Sequence, residues 1–213
     1  MSRRLTRRWS FLLATTFIFA GGLAVCWHAQ GQVLNQDQEI FVRDLPSLTA
    51  HSQDPSDILL ASLETVFHDR DVCCGKNSAL RDNVLAADAK SLQNIAEKLE
   101  GRHLLNDGRP IKVTAEYVTS DAINAGHLIT MMLNQQAALM EWNSRLYVVR
   151  GVVYRWMESG DPTNGSRAKI TVIHKLLLWE TRFSDSRRKV IFDRTTDDLN
   201  KVQGLLFLQA ALQ

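Results

Sequence analysis

The apolar pattern of this chain changes its period at Pro110 and returns to helical spacing only from Asp197. Before Pro110 apolar residues recur three and four positions apart. Ile58, Leu59, Leu63, Val66 and Phe67 make one such series, Leu80, Val84 and Leu85 a second, and Leu92, Ile95, Ala96 and Leu99 a third. That spacing predicts three helices. Asp54-Pro55-Ser56-Asp57 supplies N-cap chemistry for the first, and Gly101 stands where a C-cap glycine would end the third. From Pro110 the run Ile111-Lys112-Val113-Thr114-Ala115-Glu116-Tyr117-Val118 alternates with period two, which predicts a strand. Helices first and an antiparallel meander afterwards predict an α+β fold with N-terminal helices packed on an antiparallel β-sheet.

The meander is read as follows. His127 to Leu133 is short and apolar, consistent with a buried strand, and residues 134–136 form a turn. Residues 137–142, 146–156, 170–179 and 189–192 complete the set, with a polar turn at 184–188. Residues 197–212 place Leu199, Val202, Leu205, Leu206 and Leu208 on one side, which predicts a C-terminal helix.

At 213 residues the chain has room for one domain with tails. Arg3, Arg4, Arg7 and Arg8 precede an uncharged apolar stretch from Phe11 to Val25, the pattern of a secretory signal peptide over residues 1–29. The stretch falls short of the ~20 apolar residues a spanning helix needs, although an uncleaved anchor is the alternative. Residues 30–56 are polar and read as a linker or arm, with one apolar patch at Ile40-Phe41-Val42. Residues 57–213 then form a single domain. Net charge is +2, and all of the excess lies in those four N-terminal arginines, so the rest carries no electrostatic footprint for nucleic acid. The expected location is exported, periplasmic or secreted, with membrane contact only through the N-terminal segment.

An exported chain with two adjacent cysteines, Cys73 and Cys74, has no comfortable way to pair them. A free thiol in an oxidising compartment calls for a reason. Cys74-Gly75-Lys76-Asn77-Ser78 leads into an apolar helix, and a helix N-terminus lowers a thiol pKa and can hold an oxyanion. His127 follows Ala125-Gly126 and is a candidate base, and Asn143, 16 residues on, is a candidate orienting group. His68 beside the cysteines lacks a second ligand pair, so no metal or other cofactor is expected.

The order Cys74, His127, Asn143, with Gly126-His127 at a strand entry and Trp142-Asn143-Ser144 at a strand end, resembles the papain-like cysteine peptidase superfamily. Cys74-Gly75 is similar to the helix start of bacterial double-glycine leader peptidases, and the short Cys74 to His127 separation to compact cell-wall peptidases. The resemblance implies a papain-like half-barrel and an exported cysteine hydrolase, a peptidase or amidase, acting on a peptide or cell-wall peptide substrate. Cys74 would attack, His127 would carry the proton and Asn143 would hold the imidazole. The glutamine that usually precedes the nucleophile is absent, since that stretch reads His68-Asp69-Arg70-Asp71, and the cysteine doublet leaves Cys73 or Cys74 open as nucleophile. The alternative is a non-catalytic exported module of the same fold that binds a protein or cell-envelope partner.

Overall fold

The structure is a computed structural model describing residues 36–46, 48–67, 79–86, 91–105, 107–160, 167–183 and 188–213. The expected signal peptide, Cys73 and Cys74 lie outside the described residues.

Eight strands form one sheet: β1 Gln38–Phe41, β2 Gly101–Leu104, β3 Pro110–Thr119, β4 Ala138–Trp142, β5 Arg145–Gly160, β6 Arg167–Trp179, β7 Lys189–Asp193 and β8 Val202–Leu212. Four short helices accompany them: α1 Pro55–Phe67, α2 Ala79–Ala86, α3 Leu92–Leu99 and α4 Ala125–Leu133. The strand order is β2-β3-β8-β4-β5-β6-β7, with β1 on β5 beyond the stretch that β4 occupies. The chain divides into two compact units. One holds residues 38–154 and 171–213, and the other residues 1–37 and 155–170. Within the smaller, Arg155 pairs with Asp37 at 2.8 Å. All that follows concerns the larger unit.

This architecture overturns the expected fold. The expected α+β domain, with N-terminal helices packed on an antiparallel sheet in a papain-like half-barrel, is replaced by a broad eight-stranded antiparallel sheet with few, short helices. The expected C-terminal helix is β8, which pairs with β3 from Ile111↔Leu212 to Thr119↔Gly204 and with β4 from Ala138↔Phe207 to Trp142↔Val202. Residues 204–208 are buried without alternation, because both faces of this central strand are covered. A strand covered on both faces carries an unbroken apolar run, and that run also fits a helical period. The expected strand at His127 to Leu133 is the helix α4. Asn124 caps it by accepting from the N–H groups of Gly126 and His127, and Leu128 and Met132, one turn apart, are fully buried. The polar arm contributes β1, with Ile40 opposite Val152.

Directly paired residues of neighbouring strands share a face. Tyr117, Leu206, Leu139 and Val148 therefore form one row, and Glu116, Phe207, Ala138 and Val149 the adjacent row on the other face. The first face joins Leu59 and Leu63 of α1 and Ile95 and Leu99 of α3 in the core. On the second, α4 sets His127 edge-on to Phe207 with ring centroids 4.8 Å apart. Buried hydroxyls fasten α1: Ser62 lies 2.8 Å from the Thr181 hydroxyl and donates to the Ile58 carbonyl. At the far edge Trp179 carries two guanidinium groups, Arg150 at 4.6 Å and Arg188 at 4.4 Å from the ring centre. Burial pushes both arginines below their ordinary pKa, and the charge of Arg150 adds to the effect on Arg188.

Gly151 lets β1 approach β5. A Cβ there would stand 2.7 Å from the Ile40 carbonyl oxygen and 2.9 Å from the Phe41 Cβ. Gly151→Ala is expected to cost about 1–3 kcal/mol, the usual range for overpacking, read as a lower urea midpoint. At the end of β7 the Thr195 hydroxyl and N–H hold the Asp193 carboxyl down to about 2, with help from Lys175 at 3.1 Å. A depressed carboxyl stabilises the fold above its unfolded pKa, and that contribution is lost as pH falls through the folded value. Thermal unfolding followed from pH 4 to pH 2 should therefore show a smaller drop in midpoint for Asp193→Asn than for wild type.

Candidate functional site

His127 occupies the first turn of α4, held there by the Asn124 cap. Its Nε2 points to Glu116 of β3 at 3.4 Å, within ion-pair range but without hydrogen-bond geometry. This Nε2 is covered from solvent and has no hydrogen-bond partner among the described residues, although 39% of the side chain is exposed. The pair lines a cavity of about 430 Å³ shared with Phe207, Thr119 and Asn124.

Asn143 stands elsewhere. Asn143 and Ser144 have φ of 52° and 57°, the left-handed pair of a type I′ turn, and join β4 to β5 with Trp142 opposite Arg145. The Asn143 N–H donates to the Lys201 carbonyl at 3.2 Å. Phe207, the ring against His127, pairs with Ala138 at the start of β4, whereas Asn143 follows the end of that strand. Five residues of strand separate the two positions, about 16 Å at ~3.3 Å per residue. The structure thus brings His127 to Glu116 and sets Asn143 at the other end of β4. Cys74, the third member of the expected set, lies outside the described residues.

A second cavity, about 410 Å³, opens between the N-terminal ends of α1 and α3 and the β4–β5 hairpin. Ile58, Leu59, Leu92, Ile95 and Leu146 give it apolar walls, and Glu141, Arg145 and Arg182 bring charge to it. Glu141 projects on the face shared with Leu139 and with Leu146, its pair on β5, and burial raises its carboxyl above the ordinary range. With its amide turned to donate, Gln203 reaches both Glu141 oxygens at 3.0 Å. The Tyr117 hydroxyl donates to the Gln203 carbonyl at 3.0 Å, and burial first and then the Glu141 charge raise the phenol's pKa. Gly204 makes this arrangement possible. Its missing Cβ would sit 2.6 Å from the Tyr117 ring, so the ring lies flat across β8.

Sequence reasoning missed Glu116, Glu141, Arg145 and Arg182. The signal for Glu141 was present: it is the one acid in the apolar run Ala137-Ala138-Leu139-Met140-Glu141-Trp142. A carboxylate in a strand otherwise buried on both faces is costly unless it meets a partner or a cavity. Among the described residues no group of three or more His, Cys, Asp and Glu side chains could hold a metal ion.

No protein-family model, curated protein or solved structure matches this chain.

Asn124→Ala removes the cap that fixes α4. It is expected to cost about 1 kcal/mol in thermal unfolding and to broaden the His127 ring resonances in NMR spectra.

Proposed function

We propose that the chain is an exported, non-catalytic binding module whose cleft between α1, α3 and the β4–β5 hairpin takes an apolar side chain of a peptide or cell-envelope protein partner. The observation that carries this reading is the cleft itself. Its volume of about 410 Å³ falls in the range of ligand pockets, and its walls are apolar with a few convergent charged groups. Arg145 and Arg182 offer donors to the carbonyls or acidic groups of a bound segment, and Glu141 brings an acid to the same lining. Export rests on the basic and apolar N-terminal pattern, and no helix among the described residues is long and apolar enough to cross a membrane.

The placement of Asn143 supports binding over hydrolysis. A Cys-His-Asn mechanism needs its third group at hydrogen-bond reach of the imidazole, and the distance along β4 exceeds that several-fold. The test labels Cys74 with iodoacetamide as a function of pH, in wild type and in His127→Ala. Reaction only above about pH 8, as for an ordinary thiol, and unchanged by the substitution, is the expected result. Fast reaction at pH 6 that collapses in His127→Ala would instead establish a thiolate–imidazolium pair and reinstate the hydrolase. In parallel, the anionic apolar dye anilinonaphthalene sulfonate should bind wild type about tenfold more tightly than Arg145→Glu, a difference of about 1.4 kcal/mol. Equal affinity would remove the cleft as the binding site.

A further inference from the structure

The strand β3 has ten residues, but its outer neighbour β2 pairs only with those from Pro110 to Val113. From Thr114 to Thr119 no strand lies against that side of β3 among the described residues. The Ala115 N–H shows which groups face outward. It donates to the Glu100 carboxylate at 2.5 Å, just before β2, on the side where β2 lies. Main-chain groups alternate in direction along a strand, so the Ala115 carbonyl and the Tyr117 N–H and carbonyl turn to the same edge, while Glu116 and Val118 bond β8. Those three outward groups have no hydrogen-bond partner among the described residues.

A cavity coincides with this edge. The space of about 430 Å³ beside His127 is lined by Glu116, Tyr117, Val118 and Thr119 in succession. A cavity over one face of a strand meets alternate residues. One that meets four consecutive residues opens onto the strand's edge. Val118, Ile123 and Phe207 give it apolar walls, and Glu116 gives it an acid. The Glu116 side chain is 57% exposed, and its ionic neighbour is His127. Glu100 and Asp121 add negative charge along the same stretch, and no Lys or Arg occurs from Val113 to Leu128. The nearest cations on this face, Lys112 and its pair Arg102, stand at the end of β3 that β2 covers.

We propose that the open half of β3 is a strand-addition site for an extended basic segment of another protein, which lies antiparallel along Ala115 to Thr119. The residue opposite Tyr117 exchanges two N–H···O=C bonds with it. The following residue is Lys or Arg and faces Glu116, and the preceding one sets an apolar side chain opposite Val118, at the cavity. Charged side chains on an edge also deter unwanted pairing. Here the charges are acids, so they turn away acidic strands and select a basic one. The site is separate from the cleft described above, and neither reading depends on the other.

The probe is the peptide acetyl-Thr-Val-Thr-Lys-Thr-Val-Thr-amide, with the same peptide carrying Glu in place of Lys as control. Each is titrated into the isotope-labelled full chain and followed by NMR. The lysine peptide should bind with a dissociation constant below about 1 mM and, at saturation, slow hydrogen exchange of the Tyr117 amide about tenfold. The glutamate peptide should bind about tenfold more weakly, and Glu116→Lys should reverse that preference. Glu116 is exposed, so the variant should fold, as circular dichroism will check. If it does not, Glu116→Gln is read in its place and should reduce the preference for the lysine peptide. Absence of binding at millimolar concentration overturns the proposal. So does binding that leaves the Tyr117 amide unprotected, or that is equal for the two peptides. Binding lost in Arg145→Glu but kept in Glu116→Lys would put the peptide in the cleft and overturn it as well.

Discussion

Everything in the larger unit depends on β8 filling the gap between β3 and β4. Remove it and the strand order falls into two pieces, β2-β3 and β4-β5-β6-β7, each with an open edge. The ladder of nine residue pairs to β3 and five to β4 closes that gap, and Leu205, Leu206, Phe207 and Leu208 fill the centre of the core on both faces. A strand so placed has to satisfy hydrogen bonds on two sides and packing on two faces. Its residues have little freedom, and Gly204 is the clearest case, since the Tyr117 ring occupies the volume that any side chain would need.

The same strand organises both cavities. On one face Gly204 and Gln203 bring Tyr117 and Glu141 together beside the apolar cleft. On the other, Phe207 supports His127 opposite Glu116. The two places differ in electrostatic character. Glu141 is desolvated, so it holds its proton to higher pH than a surface carboxylate and prefers a hydrogen-bonding partner to bare solvent. Glu116 and His127 are both exposed in good part, where water screens their attraction. Glu141 already meets the Gln203 amide, and the cleft beside it adds apolar walls and two arginines to that desolvated acid, which is where the proposed binding centres.

How much of this was legible in the sequence follows from geometry. All three N-terminal helices are visible in their apolar spacing: α3 presents one apolar stripe and a polar remainder and is followed by Gly101 at φ 124°, α2 carries the Leu80 and Val84 pair, and α1, though buried on most of its surface, is announced by Asp54, which accepts from the Ser56 N–H at its start. The strand β3 is visible because one of its faces is apolar and the other is not. Two elements differ from the expectation where that contrast fails. α4 is nine residues long and almost wholly apolar, too short for a 3.6-residue period to separate from a buried strand, and only Asn124 signalled a helix start. β8 is covered on both sides, so its alternation is lost and its leucines fall by chance at helical spacing. The site suffered from the same ambiguity. His127 lies on a helix where its apolar neighbours suggest a strand, and Asn143 suits the positive φ of its turn, where asparagine is a favoured residue. Proximity in space between residues on different elements depends on strand order, and the insertion of β8 between β3 and β4 is not written in any local pattern.

The strand order also sets a clock. Thr119 meets Gly204 and Ile111 meets Leu212, so every rung of the β3–β8 ladder joins residues separated by roughly a hundred positions. Sheets closed by such distant pairings fold in milliseconds to seconds, far slower than helical bundles of the same size. Until that closure, the edges of β3 and β4 stand open and apolar, available to any neighbouring chain. The yield of native molecules is therefore a contest between an intramolecular event, whose rate is fixed, and encounters whose frequency grows with concentration. For this chain, dilution and time serve folding in a way that no added surface contact could.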